Sequence, residues 1–392
     1  MSAAGRSAGL RAVAGPGHDG TRRLGVMVLL PAALLASALA CDGRTPLEVL
    51  PPLDEIPADL AAVTFTVQGR PTAPYVMLEL RHPGGFTGFV AVNGEGRPVW
   101  LFRTTGSPFG FTRRANGNFV LLDSERGLVE VMPSGEVVRE LAQQARPGRR
   151  IHHDVTATSR NTILFIAEEW QQHGGVQVNG EAVWEWAPEA GTVTKRWSAF
   201  DHLDPALDAG ARSRPDDWLH ANSIAEGARG NVLLSLHFLD QVISIAPGLG
   251  AIEWRLGGTR ATVGVDEAFS GQHTAREVAT SRILLFDNGF DRSVERYSRA
   301  VELEMAGDNA RVVWQWRPPR DNWARVISSA QRLAGGSTLV GFGTPRDMPA
   351  GATGPIEVYD VARDGRVLWH LEIGGAVSSM YRATPVYSLQ RQ

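Results

Sequence analysis

The sequence predicts an all-β chain folded as a six-bladed β-propeller behind a short N-terminal export signal and tether. Three observations predict it: a short tryptophan pattern recurs in six copies, near-continuous apolar runs precede most copies, and no segment keeps a helical period. Composition agrees, since the 392 residues include 43 Gly, 23 Pro and 11 Trp, a profile of many short strands joined by turns.

At the N-terminus, Arg22 and Arg23 precede an apolar run from Leu24 to Ala40 that ends in small residues before Cys41. Residues 1–41 therefore read as an export signal. Leu39-Ala40-Cys41 is similar to a lipoprotein cleavage site, with Cys41 as the lipidated residue, although Ala38 stands where that pattern usually has leucine. Plain cleavage or an uncleaved anchor are the alternatives. On the lipoprotein reading the protein is exported, periplasmic or at the cell surface, and held on a membrane by its lipid. Cys41 is the only cysteine, which excludes a disulfide within the chain. Residues 42–60, rich in proline, read as a tether, and residues 61–392 as the propeller.

The repeat is a turn residue followed by apolar-apolar-Trp-x-apolar. Its copies centre on Trp100, Trp184, Trp254, Trp314 and Trp369, with a degenerate copy over Gly135 to Leu141 that lacks the tryptophan. Their uneven spacing suits propeller blades with loop insertions. Upstream lie the runs Phe119–Leu122, Ile163–Ile166, Val232–Leu234, Ile283–Phe286 and Thr338–Val340. Such runs describe strands buried on both faces, whereas the alternating tryptophan strands suit outer positions. The C-terminal run from Tyr381 to Leu389 is expected to close the ring on the first blade, removing an exposed edge.

Segments leading into each blade's first strand converge near the axis of a propeller. Here they read Phe111-Thr112-Arg113-Arg114, Ile151-His152-His153-Asp154, Trp218-Leu219-His220-Ala221-Asn222-Ser223, Gly271-Gln272-His273-Thr274-Ala275-Arg276 and Ser328-Ser329-Ala330-Gln331. Four of the ten histidines share this phase, and His237 follows on the next strand, so an axial imidazole cluster is expected. Short metal-binding spacings such as His-x-His are absent, so no metal is assigned. A net charge of −3, with Lys195 the only lysine, argues against nucleic acid as a partner. Nothing in the sequence specifies an oligomeric state.

With His220-Ala221-Asn222-Ser223, Gln272-His273-Thr274-Ala275, Leu285-Phe286-Asp287-Asn288-Gly289, Ser298-Arg299-Ala300-Val301-Glu302 and Ser329-Ala330-Gln331-Arg332-Leu333 in the family's order, the chain resembles the bacterial arylsulfotransferases. The resemblance implies a six-bladed propeller that transfers a sulfuryl group from an aryl sulfate donor to a phenolic acceptor through a sulfohistidine, with no cofactor and no nucleotide donor. It assigns His273 as nucleophile, with His220, Asn222 and His153 in support. An arginine usual after the His-x-Asn motif is missing, and His237 stands near its place. Protonated His237 is expected to replace that cationic contact, with Arg276 and Arg113 as further ligands for the sulfate oxygens. No Gly-x-x-x-x-Gly-Lys loop exists to cradle a nucleotide. A sulfate-ester hydrolase and a non-catalytic binding propeller are the competing readings.

Overall fold

The computed structural model describes residues 50–144, 149–348 and 351–390. The export signal, Cys41 and residues 42–49 lie outside the described residues. Those described form six antiparallel sheets, and no α-helix occurs among them. Nor is any of their helices long and apolar enough to cross a membrane.

The sheets are the blades of a propeller. From the axis outward, blade 2 runs Pro108–Arg113, Phe119–Asp123, Gly127–Val131 and Val137–Ala142. Blade 3 runs Ile151–Ala157, Ile163–His173, Val176–Ala187 and Thr192–Ser198; blade 4 runs Ala221–Glu226, Val232–Leu236, Gln241–Ile245 and Ile252–Leu256. Blade 5 is His273–Ala279, Arg282–Asp287, Arg299–Ala306 and Asn309–Trp316, flanked by the short parallel strand Gly264–Val265. Both chain ends complete the ring. Thr64–Gly69 adds a fifth strand outside blade 6 (Ser329–Arg332, Thr338–Phe342, Ile356–Val361, Val367–Gly374), pairing with its outer strand. The C-terminal strand Ser379–Val386 is the innermost strand of blade 1, ahead of Tyr75–Arg81, Thr87–Asn93 and Pro98–Arg103. The expected closure is therefore present.

Each apolar run forms the second strand of its blade because successive side chains bury against different neighbours. Phe119 and Leu121 pack toward blade 1, while Val120 and Leu122 pack toward blade 3. Val232 and Leu234 face blade 3, and Leu233 faces blade 5. The core is thus distributed over the junctions between blades rather than gathered at one centre.

Blade 3 departs from the expected order. Its Trp184 copy lies on the third strand, Val176–Ala187, and a further strand containing the buried Trp197 lies outside it. Of the stretch read as a tether, the described residues 50–60 run against the sheets: Leu53 N donates to Pro98 O (3.0 Å), and Leu60 is fully buried between blades 6 and 1.

Neighbouring inner strands are stitched by side-chain oxygens. Thr112 Oγ1 accepts from Ala157 N, Asp154 Oδ2 from Ile224 N, Ser223 Oγ from Ala275 N, Thr274 Oγ1 from Ala330 N, and Ser329 Oγ from Ala383 N. Left-handed residues stand within or just ahead of these strands: His153 (φ 59°), His220 (φ 51°), Thr274 (φ 53°) and Ser328 (φ 93°). Each such non-glycine conformation costs on the order of 1–3 kcal/mol, strain that concentrates where side chains must be aimed.

Candidate active site

The inner strands and the segments entering them bring His153, His220 and His273 together, and a single 3-10 turn after the second strand of blade 4 adds His237 to the run of rings. Centroid separations are 4.7 Å for His153–His220, 5.3 Å for His220–His237 and 5.2 Å for His237–His273. A cleft of about 310 Å³ opens over His152, His153 and His220.

His273 is buried, and its tautomer is fixed by Asn288. The Asn288 Nδ2 group donates to Ala324 O (2.7 Å) and Ile327 O (2.8 Å), which turns Oδ1 toward His273 Nδ1 at 2.8 Å. An amide oxygen only accepts, so Nδ1 carries the proton and Nε2 is left with its lone pair. Burial lowers the His273 pKa to about 3, helped by His220 and Arg382 and opposed by the Asn288 hydrogen bond. At neutral pH it is therefore an uncharged base. Gly271, just upstream (φ 60°), has to be glycine: a Cβ there would lie 2.8 Å from Phe290 Cβ and 3.0 Å from His237 Cε1.

The tautomer of His153 is set by His152. His152 Nε2 lies 2.8 Å from Glu181 Oε2; burial opposes protonation of His152, but the Glu181 charge outweighs it and raises its pKa. When His152 is protonated it donates through Nδ1 to His153 Nδ1 (2.6 Å), which places the His153 proton on Nε2. Burial, reinforced by His220 and the neighbouring imidazoles, holds His153 neutral with its pKa well below the usual range. His220 donates through Nδ1 to Asp217 Oδ2 at 2.7 Å and stacks on Phe238. The cluster thus offers a donor at His153 and a lone pair at His273.

A charged layer lies among the residues that follow the histidines on the inner strands. Asp154 is fully buried between Arg382, whose Nη1 it accepts, and Arg276 (Nη2 at 3.2 Å). Two guanidinium groups against one carboxylate leave a net positive charge beside the cluster, suited to an anionic group. Arg382 also donates to Asn222 O (2.9 Å), as does Tyr381 Oη (2.9 Å). Among the described residues no His, Cys, Asp and Glu grouping is arranged to hold a metal ion.

Three sequence expectations need correction. Arg113 is not brought to the cluster: its guanidinium donates to Gly117 O and Gln390 O at the end of the blade 2 inner strand. The residue that meets His153 is Phe109, at 5.4 Å, four positions earlier on that strand. His237 is not a cationic stand-in, because burial, then His273, His220 and Arg212, hold its pKa well below the usual range. The cation at that place is Arg212, which donates to His237 O (2.8 Å) and pairs with Asp240. Asn222 is fully buried, and its amide donates to Gln272 O (2.7 Å), so it orients the strand bearing His273 rather than reaching into the cleft. Arg276 does reach the axial layer, paired with Asp154.

Sequence reasoning missed Arg382, Tyr381, Asn288 and Arg212. Arg382 and Tyr381 lie near the head of the closing strand, which has no histidine to mark the axial phase. Asn288 follows the apolar run of its blade, where the sequence pattern does not show which ring it faces.

A family model described as Arylsulfotransferase (ASST) matches residues 75–366. No curated protein matches the sequence. Among solved structures, a protein of unknown function from Bacteroides caccae resembles it with a TM-score of 0.53 at 13% identity, covering 80% of this chain and 100% of that one. Virginiamycin B lyase from Staphylococcus aureus with quinupristin gives a TM-score of 0.43 at 9% identity, covering 79% of this chain and 99% of its own. The first likeness speaks for the fold alone.

Proposed function

The chain belongs to the arylsulfotransferase family, and on that premise we propose that it transfers sulfuryl groups through a covalent sulfohistidine at His273, without a nucleotide donor. The family makes it a sulfotransferase enzyme, with an aryl sulfate as donor and a phenol as acceptor. The observation that carries the mechanism is the Asn288 lock, which leaves His273 Nε2 as an uncharged nucleophile at neutral pH.

In the first half-reaction His273 Nε2 attacks sulfur, the N–S bond forms, and the bond from sulfur to the aryl oxygen breaks. Its electron pair leaves on the phenolate. His153 gives that oxygen its Nε2 proton while taking the His152 proton at Nδ1, so the pair acts as a relay, with the Glu181 carboxylate beside His152. The peripheral sulfuryl oxygens lie in the field of Arg382 and Arg276, where charge spread over them is stabilised. The second half-reaction runs in reverse: His153 takes the proton of the incoming phenol, the phenolate attacks sulfur, and the N–S bond breaks. His220, oriented by Asp217, is a second acid–base group beside this path.

Export and lipid attachment at Cys41 belong to the same reading. They are supported by the run from Leu24 to Ala40 and its small residues before the cysteine. The absence of a phosphate-cradling glycine-rich lysine loop supports nucleotide independence.

The test is exposure of purified protein to a chromogenic aryl sulfate alone, quenched without acid and analysed by peptide mass spectrometry. Sulfate on His273, and loss of adduct and turnover together in His273→Asn, is the expected result. Turnover without any phenol acceptor would replace transfer by hydrolysis, and full turnover by His273→Asn would overturn the nucleophile.

A further inference from the structure

The proposed reaction leaves one buried acid near the axis unused. Glu79, on the second strand of blade 1, is 1% exposed, and neither carboxyl oxygen has a hydrogen-bond partner. Strand pairing explains its isolation. The register between Tyr75–Arg81 and Ser379–Val386 slips between Leu78 and Leu80, so Glu79 stands opposite the bulged pair Tyr381 and Arg382. Arg382 is turned away, toward Asp154 and Asn222 O. Burial pushes the Glu79 pKa well above the carboxylate range despite Arg382 and Arg276, with the Asp154 charge adding to the rise. The group is therefore a neutral acid, able to donate and to accept.

Glu79 lines a cavity of about 220 Å³ whose other walls include Pro108, Phe109, Val326, Ile327 and Tyr381. An apolar cavity of about 150 Å³ is already enough to hold benzene, so one aromatic ring fits. The walls are shared with the histidine cluster. Phe109 and Tyr381 lie 5.4 Å and 6.2 Å from the His153 ring, and Ile327 O accepts from the Asn288 that holds His273. Histidines thus come from blades 3 to 5 and this apolar recess from blades 6, 1 and 2.

We propose, resting on the sulfuryl-transfer reading, that this cavity receives the aromatic ring of the phenol. There the Glu79 carboxyl group hydrogen-bonds a second polar substituent, which makes the enzyme selective for phenols that carry another hydroxyl group. A ring with that hydroxyl satisfies the buried acid, and a ring with a methyl in its place leaves it unpaired. The penalty for such an unpaired group corresponds to about 5-fold to 150-fold in binding.

The experiment measures binding of resorcinol and 3-methylphenol to the full chain by calorimetry, with aryl-sulfate turnover followed in parallel. Wild type should prefer resorcinol by a factor in that range. Glu79→Gln, which keeps a donor and an acceptor, should retain most of the preference, and Glu79→Leu should abolish or invert it. Equal binding of the two phenols by wild type, or the same ratio in wild type and Glu79→Leu, overturns the proposal. Should Glu79→Leu not fold, the wild-type ratio decides alone. Preference without sulfuryl transfer would keep the cavity and remove the transfer reading, and turnover without preference would do the reverse.

Discussion

Replacing Asn288 by alanine isolates the step on which the chemistry depends, the placement of the His273 proton on Nδ1. The substitution removes an acceptor 2.8 Å from Nδ1 and the donors to Ala324 O and Ile327 O. Two of these three groups keep another partner. Nδ1 still has Gly271 O at 3.1 Å, and Ala324 O still accepts from Ser298 Oγ at 3.2 Å. Only Ile327 O loses its side-chain donor, so the expected stability loss is about 1–3 kcal/mol, within reach of a protein that still folds. The tautomer bias loses one neutral hydrogen bond, about 1 kcal/mol, with the weaker Gly271 contact remaining. Turnover should therefore fall roughly 5-fold to 10-fold. Because Asn288 touches neither donor nor acceptor, the KM for aryl sulfate should stay within about twofold. The assay is single-turnover sulfation of His273 on rapid quench, with unfolding in urea measured beside it. An unchanged sulfation rate in a destabilised Asn288→Ala variant would mean that this amide holds the loop and does not choose the reactive nitrogen.

Removing the buried cation by Arg382→Met leaves Asp154 with Arg276, Ile224 N and Val155 N and should cost about 3–5 kcal/mol, much of it recovered by adding Asp154→Asn; urea midpoints of the single and double variants decide this. Acid sensitivity follows from His273. Its pKa of about 3 lies below the unfolded value near 6.5, so the unfolded chain binds a proton that the folded chain refuses. Stability present above pH 6.5 is lost as pH falls toward 3, about 5 kcal/mol in all from this group. His273→Asn should flatten that slope in urea titrations without removing it, since His153 and His237 are depressed too; an unaltered slope would contradict the burial argument. Cys41→Ser should release the protein from membranes, as fractionation would reveal, and continued membrane association would end the lipoprotein reading.

Some features could be read from the sequence because they repeat. The run Val232–Leu234 faces two blades at once, and that double burial leaves an unbroken apolar pattern. The shared phase of His153, His220 and His273 has a common cause in the inner strands that carry them. What misled was local irregularity. Blade 3 interposes a strand between its Trp184 copy and its rim, so a motif normally outermost moved inward. Arg113 lies at the far end of a six-residue strand from Phe109, which meets His153, and an offset of four residues spans most of that strand. His237 illustrates a different limit. Its type is visible in the sequence but its depth is not, and depth decides whether an imidazole carries charge.

The strand Ser379–Val386 fills the innermost place of the first blade and also contributes Tyr381 and Arg382 to the axial layer. One strand thus serves both closure of the ring and the charge at its centre. Without that strand His153, His220, His237 and His273 would all remain, yet Asp154 would lose its Arg382 partner and the cavity beside Glu79 its Tyr381 wall. Opening the ring at this seam therefore also removes positive charge from beside the histidines.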